Sequence, residues 1–562
     1  MSENSRVTRA AGVIGAATFL SRVFGFIRDM AVAWFFGAGI SSDAFFVAFR
    51  IPNLLRRLFA EGSLSISFIP VFTEYIETQG KEEAFRLGRC ALNVLSLILI
   101  GISLLGIIFS PIIVRIIAPG FADTPEKLSL TVLLTRIMFP YVFFICIAAL
   151  LMGILNALGH FAAPALAPVF LNLAMIFSIF CISPYMAEPV TGLALGVLIG
   201  GVLQLLLQIP FMIKKGFRFR EPALSSQISD SAAPGVPHPS AAPFSDPVKR
   251  VSNPLHTMSS RISDMLGHPG LKRIGILMGP AVLGATVYQI NIVIGTLLAS
   301  LLPEGSVSYL YYADRLVEFP LGIFAIAAAT AVLPSLSKQA AAKDFDALGD
   351  TFAYSMNLVF FITIPAMAGL IVLREPIVAL LFGRGAFDKE SIRMTADALL
   401  YYSVGLWAFS AVRILVSTFY ALQDTKTPML TAIISIIANV LFSVLLMGPL
   451  KHGGLALATS LASMLNLGLL VRGLKPKIGG LEWKNIIKPA CKSIVCSVMM
   501  AIGVRLTASL IIPAGNKSLT LLFSGLVISI IAGFVLYGVF SYLMKSRELE
   551  KIVSFVRGEK KS

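Results

Sequence analysis

Charged side chains are scarce in this sequence. Asp, Glu, Lys and Arg make up 14% of its 562 residues, against about 25% in soluble domains, which excludes an ordinary water-facing surface. Acidic residues are the scarcer sign, 30 against 46 basic ones, for a net charge of +16. That balance does not imply a nucleic-acid partner. The basic residues gather at the ends of apolar runs rather than on one soluble face, as the positive-inside rule and anionic lipid require. Cysteine is limited to Cys90, Cys146, Cys181, Cys491 and Cys496, all in apolar segments and with no CxxC, so neither a disulfide framework nor a metal cluster is expected. The histidines, His160, His238, His256, His268 and His452, read as loop residues, which leaves no catalytic or metal-binding histidine inside a membrane. Walker, GxSxG and zinc motifs are absent, so no ATPase is built in.

What is present is apolar sequence, 56% of the chain. A span takes about 20 apolar residues. Segments bounded by Gly, Pro and charge fall near 10–36, 43–77, 86–117, 126–158, 162–184, 189–213, 271–301, 306–337, 347–383, 390–422, 427–448, 453–472, 485–511 and 518–544. They predict an all-α polytopic membrane protein of about fourteen transmembrane helices. Several segments are long enough to tilt, kink or protrude, and Pro52, Pro70, Pro140, Pro320 and Pro334 are the kink candidates. The first run imitates a signal peptide, down to Ala31-Val32-Ala33. It is too long and is broken by Arg22 and Arg28, so it reads as an uncleaved first span. Lysine and arginine collect on one side, in Lys81, Arg86, Lys214, Lys215, Lys272, Arg273, Lys426, Lys475 and the tail from Lys545. This asymmetry predicts that both termini are cytoplasmic.

Residues 216–270 break the apolar pattern with a Ser-, Pro- and Ala-rich stretch that reads as a flexible cytoplasmic linker. It separates an N-lobe at 1–215, with spans one to six, from a C-lobe at 271–475, with spans seven to twelve. Residues 476–562 add two helices and a basic tail. The lobes look like repeats. Pro70 in SFIPVFT matches Pro334 in AVLPSLS, Ala157-Leu158 before Pro164 matches Ala421-Leu422 before Pro428, and GLALGVLIGGVLQL from Gly192 matches GLALATSLASMLNL from Gly454. Arg50 aligns within a residue of Arg315. An even number of spans per lobe gives both the same orientation, with an axis along the membrane normal and a cavity between lobes that rock.

The most informative stretch is Ser21 to Gly62, apolar yet carrying Arg22, Arg28, Asp29, Asp43, Arg50, Arg56, Arg57 and Glu61. An ionised side chain at membrane depth costs roughly 2.5–3.5 kcal/mol on insertion scales, so such residues face an interior or a wet cavity. Helical rise puts Arg22 roughly 18 Å along the first span, Arg56 roughly 20 Å down the second and Arg315 roughly 14 Å into the eighth. The local alternative is pairing within one helix, as Arg28 with Asp29 or Arg57 with Glu61, and it is the preferred reading for Arg57. Arg22, Arg28, Arg56 and Arg315 instead read as a shared anion site, because nearby acids look too few to neutralise them and arginine's fork suits phosphate. Asp29, Asp43, Glu61, Asp314 and Glu318 would orient arginines or form gate pairs, each equally readable as structural. Asn53, Asn172, Gln204, Gln289, Asn291, Asn439 and Asn466 line a cavity or bond between helices. The Gly stripe from Gly192 to Gly201 reads as close helix packing.

At SRVFGFIRD, SSDAFFVAFRIPNLLRRLFAEG, PGF (119–121), YYADRLVEFP (311–320) and LPSLSK (333–338), the chain resembles the MurJ/MviN family. These are lipid II flippases of bacterial cell-wall synthesis in the multidrug/oligosaccharidyl-lipid/polysaccharide exporter superfamily. The resemblance runs almost end to end, apart from the long linker. It implies fourteen helices, a cationic cavity between two lobes, and a groove along the last two helices for a polyprenyl tail. It also implies substrate-binding roles for Arg22, Arg28, Arg56 and Arg315, with Asp29, Asp43, Asn53, Glu61 and Glu318 as supporting or gate residues. No catalytic residue, metal or cofactor is implied. Sodium and the membrane potential are the two couplings in play, although acids are too scarce in the seventh and eleventh spans to place a sodium site. The expected partners are lipid II, membrane lipids and proteins of cell-wall synthesis. The rivals are a flippase for another polyprenyl-linked oligosaccharide, a drug exporter, which would show an acidic cavity, and a non-transporting scaffold. A polyprenyl-phosphate enzyme is a further rival, but it would need a spaced Asp/His set that is missing.

Overall fold

A computed structural model of the chain describes residues 3–58, 64–219, 268–478, 482–512 and 519–556. Among them every regular element is helical. The first half runs α1 (Glu3–Phe36), α2 (Ile40–Arg56), α3 (Ser65–Thr78), α4 (Lys81–Ile117), α5 (Pro125–Met138), α6 (Tyr141–Ala157), α7 (Ala162–Cys181) and α8 (Pro189–Lys214). The second runs α9 (Pro269–Ser300), α10 (Ser306–Pro320), α11 (Ile326–Ala341), α12 (Phe345–Val372), α13 (Arg374–Phe382), α14 (Lys389–Val404), α15 (Leu406–Ala421) and α16 (Lys426–Leu474). Then come α17 (Lys484–Ile511), α18 (Leu519–Leu543) and α19 (Arg547–Val556). The linker lies almost wholly outside the described residues, as does Glu61.

Nine helices among the described residues are long and apolar enough to cross a membrane, ten with α14 and α15 as one bent span. Order and length are consistent with the fourteen expected. Pro140 and Pro320 interrupt their spans, the first between α5 and α6 and the second ahead of a π-helical turn at Leu321–Ala325. Pro334 does not; it sits inside α11. Gly405, outside the proline set, marks a 42° bend between α14 and α15. The two spans expected at 427–448 and 453–472 are the two arms of α16, which break at Lys451, where the backbone is non-helical (φ 49°, ψ −131°). His452 follows that break and is buried, with its Nε2 2.8 Å from the Met394 carbonyl. The loop reading of that histidine is therefore corrected. The basic tail also contains a strongly amphipathic helix, α19, whose Lys551 lies over the Tyr354 ring at 4.5 Å.

By contact the chain forms two compact units whose boundaries fall inside helices. One comprises Met1–Phe26, Phe49–Ser110 and Thr135–Gln289; the other Ile27–Ala48, Pro111–Leu134 and Ile290–Ser562. In the first, α8 packs on α6 and α7. The glycine stripe makes this possible: a Cβ on Gly192, Gly196 or Gly200 would lie 2.6–2.7 Å from Ser183, Ser178 or Leu171. In the second, Leu336, Phe352, Phe419, Leu470 and Ile486 join α11, α12, α15, α16 and α17 in one apolar core. A smaller core sets Phe361 and Tyr537 beside Met500 and Leu526, with the Tyr537 hydroxyl donating to the Phe361 carbonyl at 2.8 Å.

The repeat is visible in local geometry. α6 ends with Leu158 N–H on Ile154, Gly159 at φ 73° and His160 N–H on Leu155. α15 ends with Leu422 N–H on Thr418, Gln423 at φ 58° and Asp424 N–H on Phe419. The same left-handed cap closes both helices, with glycine in one half and glutamine in the other.

Candidate substrate site

Arg28 and Asp29 are neighbours on α1, and Tyr311, Arg315 and Glu318 lie at i, i+4 and i+7 on one face of α10. All five belong to the second compact unit. Arg28 Nε and Nη2 donate to Asp29 Oδ1 at 3.0 and 2.6 Å. Arg315 approaches the other oxygen, Nε to Oδ2 3.4 Å, and its Nη1 donates to Glu318 Oε2 at 2.7 Å. The Tyr311 hydroxyl joins the two arginines. It accepts from Arg28 Nη2 at 3.3 Å and from Arg315 Nη2 at 3.1 Å, and donates to Asp29 Oδ1 at 3.2 Å. Arg315 also lies over the Tyr311 ring, 4.9 Å from its centroid, a cation–π contact.

Two guanidinium groups and two carboxylates balance formally. The expectation that nearby acids are too few to neutralise these arginines is therefore corrected for Arg28 and Arg315. Burial falls off across the cluster, from side-chain exposures of 10% for Arg28 and 4% for Asp29 to 34% for Arg315 and 48% for Glu318. The Arg315 end is therefore the accessible end of the cluster. A phosphate there competes with carboxylates for the same planar donors.

Asp43 is also buried but is held quite differently. Its Oδ1 accepts from Ser308 N–H at 2.9 Å and Ser308 Oγ at 2.6 Å, and its Oδ2 from Gly305 N–H at 2.8 Å and Lys127 Nζ at 2.7 Å. It caps the N-terminus of α10, where a carboxylate meets unsatisfied N–H groups and a favourable dipole. Glu304 returns the arrangement, its Oε1 accepting from Ile40 N–H at 3.0 Å at the start of α2. These bonds join residues 262–265 apart, the offset of the repeat. Equivalent positions of the two halves therefore meet each other here. Phe46 stacks on Tyr311, its counterpart at the same spacing, with centroids 3.9 Å apart.

Arg22 and Arg56 belong to the first unit. Arg22 is exposed on α1, one residue beyond Ser21, whose carbonyl accepts from Asn172 Nδ2 at 3.1 Å. Arg56 Nε donates to Asn53 Oδ1 at 3.0 Å, one turn back. Asn439 Nδ2 donates to Asn291 Oδ1 at 2.9 Å, so Asn172 and the Asn291–Asn439 pair bond between helices, while Gln204 is buried at 1% exposure. Sequence reasoning missed Tyr311, which sits within the quoted YYADRLVEFP motif one turn before Arg315. It also missed Lys127 and Glu304, whose signal was charge beside a helix start. Among the described residues no group of three or more His, Cys, Asp or Glu is placed to hold a metal ion.

These apolar helices and cores define a polytopic α-helical membrane protein. A solved multidrug resistance MATE transporter, inward-facing, shares the fold over 84% of this chain and 98% of its own at TM-score 0.62, with 16% identity. The chain belongs to the MurJ family: the model described as "Lipid II flippase MurJ" matches residues 32–526. A probable lipid II flippase MurJ from Vibrio cholerae is 38% identical over 84% of this chain and 83% of its own length. The lipid II flippase MurJ of Burkholderia cenocepacia is 36% identical, covering 84% of each. A solved lipid II flippase MurJ in an inward closed conformation superposes with TM-score 0.73 at 27% identity, over 94% of this chain and 98% of that one.

Proposed function

We propose that this chain is a lipid II flippase of the bacterial cytoplasmic membrane, with both termini in the cytoplasm. It carries the polyprenyl-pyrophosphate-linked glycopeptide from the inner to the outer leaflet by alternating access, and it is a transporter rather than an enzyme. The observation that carries the reading is the convergence of Arg28 and Arg315 on Asp29 and the Tyr311 hydroxyl. Pyrophosphate displaces Asp29 and Glu318 from the guanidinium groups, and the displaced carboxylates take them back when it leaves, so binding and release exchange ion pairs rather than exposing bare charge. Arg22 and Arg56 are further substrate-binding residues in this reading, and the lipid tail stays in the bilayer along the last two helices.

No cofactor is required. An inside-negative potential favours outward movement of each negative charge by about 2.3 kcal/mol per 100 mV, and a sodium gradient is the alternative drive. Reconstituted vesicles with fluorescent lipid II test the reading. Arg28→Ala and Arg315→Ala should each abolish or severely slow translocation, and an imposed inside-negative potential should accelerate the wild type. Wild-type rates in both variants would overturn the assignment.

A further inference from the structure

Arg136 lies outside the cluster just described, in the first compact unit, and nothing above uses it. It sits in α5, about 16 Å along the helix from Pro125, within the apolar span Pro125–Ala157. An arginine at that depth faces the protein interior or water. Its side chain is exposed, so water is the remaining choice. The two neighbouring helices make the contrast. The exposed face of α4 is Leu97, Leu104, Leu105, Ile108 and Ile112, a surface for acyl chains, whereas α5 exposes Ser129, Leu133 and Arg136 on one face at i, i+4 and i+7. The polarity continues into the backbone, because Pro140, four residues on, has no N–H to return to the Arg136 carbonyl.

The guanidinium is aimed. Its Nε donates to Ser110 Oγ at 3.0 Å, and Ser110 passes its own proton to the Ile107 carbonyl at 2.9 Å. Ser110 is fully buried and neutral, so it orients the group without discharging it. Among the described residues no carboxylate pairs with Arg136. Both Nη groups keep the forked edge that chelates phosphate. Arg28 differs, with Nε and Nη2 both given to Asp29.

We propose that Arg136, positioned by Ser110, is a further phosphate-binding arginine that holds the pyrophosphate of a polyprenyl-linked substrate during its passage. The inference rests on the flippase reading and adds a contact to it. It is tested on the full chain with the native cysteines replaced and Leu133→Cys introduced on the same helix face. An aqueous, membrane-impermeant thiosulfonate should label that cysteine. Undecaprenyl pyrophosphate should slow labelling roughly tenfold, phosphatidylglycerol should not, and the protection should vanish when Arg136→Gln is added. No labelling, or equal protection by phosphatidylglycerol, would overturn the proposal.

Direct binding keeps it testable if the cysteine variant folds poorly. Arg136→Gln should bind undecaprenyl pyrophosphate roughly tenfold more weakly, with Arg136→Lys and Ser110→Ala in between. If Arg136→Gln alone binds normally, this inference fails; if Arg315→Gln does so too, the flippase reading fails with it.

Discussion

Two buried aspartates of the same compact unit are held in opposite ways. Asp43 is saturated by short, fixed donors: two backbone N–H groups, a serine hydroxyl and the ammonium of Lys127. Asp29 is held by arginine side chains and a phenol, and Arg315 reaches a part-exposed edge. Backbone donors cannot leave without unwinding a helix, whereas guanidinium groups swing on long stems and can take another anion. The first arrangement suits a joint and the second suits a site.

Substitutions should separate the two. The largest effect is expected at the joint: Asp43→Ala strands buried Lys127 and uncaps α10, and should lower stability by about 3–5 kcal/mol, read by thermal unfolding in detergent. Loss of transport with unchanged stability would instead place Asp43 in the site. Next, Arg315→Ala should weaken undecaprenyl pyrophosphate binding by about 1.5–3 kcal/mol while the melting temperature moves little. Asp29→Asn tests the exchange of partners, since it removes the competing carboxylate. Pyrophosphate should bind more tightly and turnover should slow; weaker binding would show Asp29 to be a positioning group instead. Tyr311→Phe removes one hydroxyl shared by three groups and should cost about 1 kcal/mol of binding.

The smallest effect lies away from both, in the loop before α16. The Thr427 hydroxyl and N–H, with Lys477 beside them, hold the Asp424 carboxyl below the usual carboxylate range. Its contribution is present above the unfolded value of about 3.9 and is lost as pH falls through the depressed folded value. The gap in melting temperature between wild type and Asp424→Asn should therefore narrow as pH falls from about 5 to about 3.

The span pattern was legible because apolar length and bounding prolines are local signals. Segment ends agree closely with helices such as α7, α8 and α17. The matching caps at Gly159 and Gln423 were foreshadowed by the paired Ala-Leu motifs. Arg28 and Arg315 were legible as charges out of place, and the structure brings them together at Asp29 and Tyr311. The pairs Arg28–Asp29 and Arg315–Glu318 are local in sequence, whereas the reach of Arg315 to Asp29 depends on tertiary structure. Tyr311 carries no charge, so nothing marked it beyond its place in the YYADRLVEFP motif. Arg136 is a single arginine in a long apolar run, where local pattern does not tell a buried ion pair from a water-facing charge. The Gly405 bend shows that glycine breaks spans as well as proline does.

The stacking of Phe46 on Tyr311 has a consequence for how the two halves diverged. A half-length ancestor pairing with itself would set one residue type against its own copy at this position, giving either two hydroxyls or none. Here there is one, on Tyr311, and it is the atom that touches Arg28, Arg315 and Asp29. The one oxygen by which Tyr311 differs from Phe46 is thus the atom around which the charged cluster is assembled.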